Sequence, residues 1–247
     1  MVVSVTALYI HDLSVSYGNR KIIEHLSHTF AAGQWHVLLG RSGVGKSTLL
    51  HAIAGLLPTD ATMSGRIFLD NHAPIKQQLA LMAQKNDILP WLNVIDNVTL
   101  ADRLHRQSPS REYAYALLEA CGIEKLAKSQ PHTLSGGQRQ RVALARTLMQ
   151  KRPIILMDEP FSALDAITRY QLQNLSAELL ADKTVIMITH DPAEALRLAD
   201  TLHILGNNQL QPVTLPNSSP PRPMDVQGLA KAQEHLLHLL ESSTSYV

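Results

Sequence analysis

The chain of 247 residues has one cysteine, Cys121, which excludes an intramolecular disulfide and suits a reducing cytoplasm. It has no run approaching the ~20 apolar residues of a membrane-spanning helix, so any crossing of a membrane falls to another chain. The opening stretch, MVVSVTALYIHDLSVSYGNRK, lacks a basic leader and alternates like a strand, so it reads as structure rather than a signal peptide. Excess charge is missing too. Lys+Arg 22 against Asp+Glu 21 leaves a net charge of +1, which gives no reason to expect non-specific nucleic-acid binding. The histidines lack metal-ligand spacing: neither His25/His28 nor His235/His238 has a cysteine or carboxylate cluster beside it, so no zinc is expected. No internal repeat is present. What remains is an ordinary globular composition, 45% hydrophobic and 17% charged, long enough to bury a full core.

Short apolar runs alternate with helical ones. ALYIHDLSVSYG (7–18) reads as one or two edge strands ending in a Gly-Asn turn, and QWHVLLG (34–40) as a strand buried on both faces. SGRIFLD, LALMAQ, RPIILMDEP and KTVIMITHD add further strands. The pattern predicts an α/β domain with a mainly parallel sheet. From about Leu89 to Gln150 strand signals fade and helical runs such as REYAYALLEACG dominate, as in a helical insertion. After Gln211, PVTLPNSSPPRP (212–223) reads as an extended proline-rich linker. The tail (224–247) places Val226, Leu229, Leu236 and Leu240 on one helical face, as expected of a terminal helix docked on the domain.

The strongest chemical signal is GRSGVGKST at 40–48, where Gly40, Gly45, Lys46 and Ser47 satisfy the phosphate-loop pattern between a strand and a helix. Average usage gives such a match by chance on the order of one time in a hundred. Backbone N–H groups of Gly40, Arg41, Ser42, Gly43, Val44, Gly45 and Thr48 would converge on an anion at a helix N-terminus. Lys46 would reach the β- and γ-phosphates and Ser47 would ligate Mg²⁺. IILMDEP supplies the complement. Asp158 at the strand's carboxyl end can hold the metal, and Glu159 can polarise a water beside the γ-phosphate. Gln84, ending LALMAQ, reads either as a strand-end cap or as a ligand reaching metal or water. His190 after TVIMIT is, on its own chemistry, a structural histidine. LSGGQRQR (134–141) holds a second glycine turn. Ser135 is a good N-cap, and Gly136 and Gly137 would let a phosphate approach the backbone. With the stripe of Val142, Ala145, Leu148 and Met149, the local reading is a capped amphipathic helix with an arginine-rich outer face.

Taken in order, these segments resemble the ATP-binding-cassette ATPase family over roughly Leu8 to Leu205. GRSGVGKS resembles its Walker A, Gln84 its Q-loop glutamine, LSGGQ its signature, IILMDE its Walker B, SALD (162–165) its D-loop, and His190 its switch histidine. Tyr17 matches the residue that stacks on adenine. The resemblance implies a P-loop NTPase core (5–211) with an N-terminal antiparallel β subdomain and an inserted helical subdomain (about 89–150). It implies ATP and Mg²⁺ as ligands, with Ser47, Gln84 and Asp158 on the metal, Glu159 as general base and His190 orienting γ-phosphate and water. It also implies a head-to-tail homodimer in which Ser135, Gly136, Gly137, Gln138 and Asp165 serve the partner's nucleotide.

KNDILPWLNVIDNV, directly after Gln84, is similar to the corresponding segment of importer ATPases for nitrate, taurine, alkanesulfonates and thiamine-pyrimidine precursors. The implied partners are integral-membrane permease subunits and, indirectly, a solute-binding protein, at the cytoplasmic face of the plasma membrane. Trp91 reads either as the permease contact or as local packing. The short tail leaves no room for a regulatory domain. An exporter subunit and a non-transport cassette ATPase are the rivals; LSGGQ together with the histidine excludes a generic P-loop kinase.

Overall fold

The computed structural model describes residues 5–83, 88–106, 108–206, 209–223 and 225–242. In chain order the elements are β1 (Leu8–Tyr17), β2 (Arg20–Phe30), β3 (Trp35–Leu39), α1 (Lys46–Ala54), β4 (Ala61–Leu69), β5 (Leu79–Met82), α2 (Val94–Val98), α3 (Leu100–Leu104), α4 (Arg111–Ala120), α5 (Gly136–Met149), β6 (Ile154–Asp158), α6 (Ala166–Leu179), β7 (Thr184–Thr189), α7 (Pro192–Leu198), β8 (Thr201–Gly206), β9 (Gln209–Val213) and α8 (Leu229–Ser242). They form two sheets. One is antiparallel, in the order β2-β1-β4; the other, β5-β6-β7-β3-β8-β9, is parallel except at β9.

Every residue of β3, β6 and β7 is buried, and their alternation divides them between two cores. Leu38, Leu156, Ile186 and Ile188 face α1 and the antiparallel sheet. Val37, Leu39, Ile155, Met157, Val185 and Met187 face the helical side with α5, α6 and α7. The continuous apolar runs of the sequence are thus strands covered on both faces. At about 25 cal/mol per Å² such double burial is the main stabilising term.

Three sequence expectations change. The stretch 7–18 is one strand, and it lies in the middle of its sheet rather than at an edge. It tolerates that place through a bulge between Ile10 and Leu13, with Asp12 at φ 52. Opposite the bulge, Gly65 sits at φ 90, where a Cβ would lie 2.3 Å from the Asp12 carbonyl oxygen, so only glycine fits. The main sheet runs on to Val213, past the expected edge at Gln211. The proline-rich stretch is not a free spacer either: Arg222 within it is buried and donates its N–H to the Arg197 carbonyl. α8 does dock, packing on α7 with Leu229 and Leu236 buried and Val226 and Leu240 half-buried.

Where the two sheets meet, His28 of β2 packs edge-on against His203 of β8 and against Phe30, which in turn contacts His36 of β3. His36 donates Nε2–H to the Ala31 carbonyl and accepts from the Thr201 hydroxyl on Nδ1. Burial, and then the other two imidazoles, push the His28 pKa down to about 4; His36 and His203 are also lowered, chiefly by burial. A folded pKa below the unfolded value means the native state binds fewer protons. This stability is full above the unfolded value near 6.5 and is lost as pH falls toward the folded one. The urea midpoint of the wild type should therefore drop from pH 7 to pH 5, and His28→Asn should show a shallower drop. Parallel pH dependences would remove His28 as a cause.

Candidate functional site

Because β6, β7 and β3 are parallel neighbours, their carboxyl ends lie side by side and deliver three segments to one edge of the sheet. After β3 comes the glycine loop. Gly45, at φ 106, stands at the N-cap of α1, where a Cβ would come within 3.0 Å of Ile22 Cγ2. The buried ammonium of Lys46 donates to the carbonyls of Gly40 at 2.6 Å and Arg41 at 2.9 Å. Burial lowers the Lys46 pKa, and the carboxylates of Glu159 and Asp158 oppose that shift. The loop thus keeps a cation folded back on its own backbone, with a helix N-terminus beside it.

After β6 come the acids. Asp158 is buried, and the desolvation raises its pKa; a hydrogen bond from the Ser47 hydroxyl, 3.4 Å from Oδ1, works against this. Glu159 has left-handed backbone geometry, φ 45, which costs a non-glycine residue roughly 1–3 kcal/mol. Its surroundings hold it there. Its N–H donates to Ile188 at 3.0 Å, and its carbonyl accepts from the N–H and hydroxyl of Ser162. Gln140 of α5 donates to the adjacent Pro160 carbonyl at 2.5 Å. After β7 comes His190, whose Nδ1 lies 3.0 Å from Glu159 Oε2.

Lys46, Ser47, Glu159 and His190 line a cleft of about 590 Å³ together with Tyr17, Ser42, Gly43, Gly45 and Thr48. The strand and loop patterns thus bring together residues far apart in sequence, with the acid, the histidine and the lysine facing one space. Arg20 and Ile22 also line it. Nothing in the sequence singled them out beyond their place after the Gly18-Asn19 turn. Gln84 lies outside the described residues.

The second glycine turn lies elsewhere: none of Ser135, Gly136, Gly137 and Gln138 lines this cleft. Ser135 caps α5 in a reciprocal capping box, its Oγ accepting from Gln138 N–H while Gln138 Oε1 accepts from Ser135 N–H. Gly137 has an internal packing reason too, since a Cβ there would lie 2.4 Å from Thr168 Cγ2. Nor is the arginine face of α5 simply solvated: Arg139 donates to the Leu134 carbonyl and Arg141 to that of Cys121. Asp165 caps α6 by accepting from Thr168 N–H, and those bonds lower its pKa.

Arg169 of α6 went unnoticed in the sequence. It donates to the Leu164 carbonyl, which precedes Asp165, and to Asp191, which follows His190; it also lies 3.7 Å from Glu194. Only its place four residues after Asp165 hinted at a shared helix turn. Asn97 was equally unforeseen as a structural centre. Fully buried, it accepts from Leu89 N–H and donates to the carbonyls of Leu89, Leu92 and Asn93, fixing the loop that displays Trp91 at 72% exposure.

Residues 23–162 match the family described as ABC transporter. An uncharacterized ABC transporter ATP-binding protein of Haemophilus influenzae is 44% identical over 238 residues, 94% of this chain and 97% of its own length. An aliphatic sulfonates import ATP-binding protein of Paracoccus denitrificans is 37% identical over 246 residues, 98% of this chain and 96% of that one. A Yersinia pestis protein of the same description is 40% identical over 208 residues, covering 83% of this chain and 74% of its own. Among solved structures, a bacterial Atm1-family ABC exporter with ATP bound superposes with a TM-score of 0.71 at 26% identity. That match covers 85% of this chain and 38% of the exporter chain.

Removing the buried ammonium tests the glycine loop. Lys46→Ala should weaken ATP binding by about 10- to 100-fold, the loss of one or more charge-assisted contacts worth about 1.5–3 kcal/mol. Calorimetric titration giving unchanged affinity would rule out Lys46 as a phosphate ligand.

Proposed function

The chain belongs to the ABC transporter family and is an ATPase of that family; we propose that it powers an importer of small solutes, aliphatic sulfonates foremost. The observation that carries this reading is the division of its anion-binding turns. One completes a cleft with a lysine, an acid and a histidine; the other is capped and lies outside that cleft. A second copy, turned head to tail, gives the outlying turn a phosphate to bind.

In the proposed cycle, adenine stacks on Tyr17 and Lys46 turns from the loop carbonyls to the β- and γ-phosphates. Ser47 and Asp158 present hard oxygen donors close together, the small protein set that suits Mg²⁺ when phosphates and water complete the shell, with Gln84 as a third candidate. Bound there, the ion supplies charge neutralisation for the transferring phosphoryl group. Glu159, held by its strained turn and by His190, takes the proton of the attacking water. His190 steadies that carboxylate and the γ-phosphate. Ser135, Gly136, Gly137 and Gln138 of one copy close on the nucleotide of the other, with Asp165 at the junction. Hydrolysis releases the pair, and the motion passes to the permease.

Among the described residues no helix is long and apolar enough to cross a membrane, so this reading assigns the pore to separate permease subunits at the cytoplasmic face. Trp91, fixed by Asn97 yet mostly exposed, is the proposed permease contact. The sulfonate cargo rests on the names of the relatives; nitrate, taurine and thiamine-pyrimidine precursors stay as alternatives from the resemblance of the segment after Gln84. The solved exporter favours a second reading, export, but that match covers only part of the exporter chain.

Glu159→Gln should bind MgATP, stop turnover and accumulate as a dimer by light scattering, and Ser135→Arg should bind ATP yet stay monomeric. A Glu159→Gln variant that hydrolyses ATP at the wild-type rate would overturn the assignment of the base. Affinity purification from detergent-solubilised membranes should recover a polytopic permease, and Trp91→Ala should lose it with ATPase activity retained. Deletion should abolish growth on an alkanesulfonate as sole sulfur source; unimpaired growth there and on the other candidates would remove import of that class.

A further inference from the structure

The tail is tied to the helix that follows His190. α7 has seven residues, too few to hold itself by its own hydrogen bonds. Its start is fixed by Asp191, which caps the N–H groups of Ala193 and Glu194 and is itself held by Arg169. Its last turn is fixed on one side by the buried Arg197, which donates to Gln173 and Asn174 of α6 and lies over the Tyr170 ring at 4.1 Å. Just past it, Asp200 is tied to β3, its N–H donating to the Trp35 carbonyl and its carboxylate accepting from the Trp35 N–H. The orphan carbonyls at that end are met by Arg222, from the proline-rich segment. Arg222 is 3% exposed; its Nη1 donates to Leu196 at 2.8 Å and Ala199 at 2.7 Å, and its backbone N–H donates to Arg197 at 2.8 Å. A guanidinium at a helix C-terminus also opposes the helix dipole. α8 then covers α7, with Leu229 and Leu236 in the shared core.

We propose that Arg222 is a positioning residue for His190: by closing the far end of α7, the tail fixes the helix whose leading edge presents the imidazole to Glu159. The inference rests on the proposed role of His190. Arg222 touches neither nucleotide nor cleft, so its effect falls on turnover rather than binding. Without it two carbonyls lose their donor, the last turn of α7 loosens, and the histidine at its head samples more orientations.

The test uses the purified full chain with Arg222→Met, which keeps the length of the stem, and Arg222→Lys, which keeps the charge and at most part of the bonding. Both should bind MgATP with wild-type Kd. For Arg222→Met, kcat should fall on the order of tenfold, within the range that misplacement by remote mutations causes; Arg222→Lys should fall between it and the wild type. In a His190→Ala background neither substitution should lower the remaining single-turnover rate further, because there is no imidazole left to position. If Arg222→Met does not fold, Arg222→Lys carries the same comparisons alone. Wild-type kcat in an ATP-binding Arg222 variant, or an equal proportional loss with and without His190, would overturn the proposal. A His190→Ala protein with wild-type turnover would bring down the reading of the hydrolytic site itself; slow His190→Ala with normal Arg222 variants removes the tail inference alone.

Discussion

A strand covered on both faces can offer groups to solvent or a ligand only at its ends. β3, β6 and β7 are buried along their whole length, so whatever chemistry they carry must gather where they stop. Running parallel and adjacent, they stop together. The glycine loop, the Asp158–Glu159 pair and His190 are therefore neighbours by construction, though 40 to 190 in sequence. The same constraint explains the electrostatics. Groups at the edge of a dry sheet are partly desolvated, which lowers Lys46 and raises Asp158 while each tempers the shift of the other.

Much of this was legible because the signals were local. Apolar runs of strand length announced the buried sheet, and glycines at fixed offsets before a helical run announced the loop. Ser135 reads as a helix N-cap from its residue type and place, and it caps α5, in a box with Gln138. What stayed hidden depends on partners distant in sequence. β1 looked like an edge strand because alternation tells which face is wet, not how many neighbours a strand has, and its two neighbours, β2 and β4, come from elsewhere in the chain. The need for glycine at 137 comes from Thr168 as well as from any phosphate. Arg169 and Arg222 carry no motif in the sequence, and only the carbonyls they meet reveal their roles. The histidines of the sheet junction carry no spacing signal, since three different strands bring them together.

The protein also distributes its arginines in a consistent manner. Arg139, Arg141, Arg169 and Arg222 all donate to main-chain carbonyls at helix ends or turns. A planar guanidinium can satisfy such a carbonyl and still keep its aliphatic stem in the core, which a lysine does less well. Helices too short to be stable alone are held by these contacts, so the helical side of the molecule is a set of braced pieces around a rigid sheet.

The capping box at Ser135 has a consequence for assembly. The N–H groups of Ser135 and Gln138 are each met by the other's side chain, so the turn keeps its shape from within the chain. A ligand bound there would meet a surface already formed, and little conformational entropy would be lost in ordering it. Release, likewise, leaves no unfolded segment to rebuild. On the proposed reading, two copies would join and part as rigid bodies, with no segment to refold between turnovers.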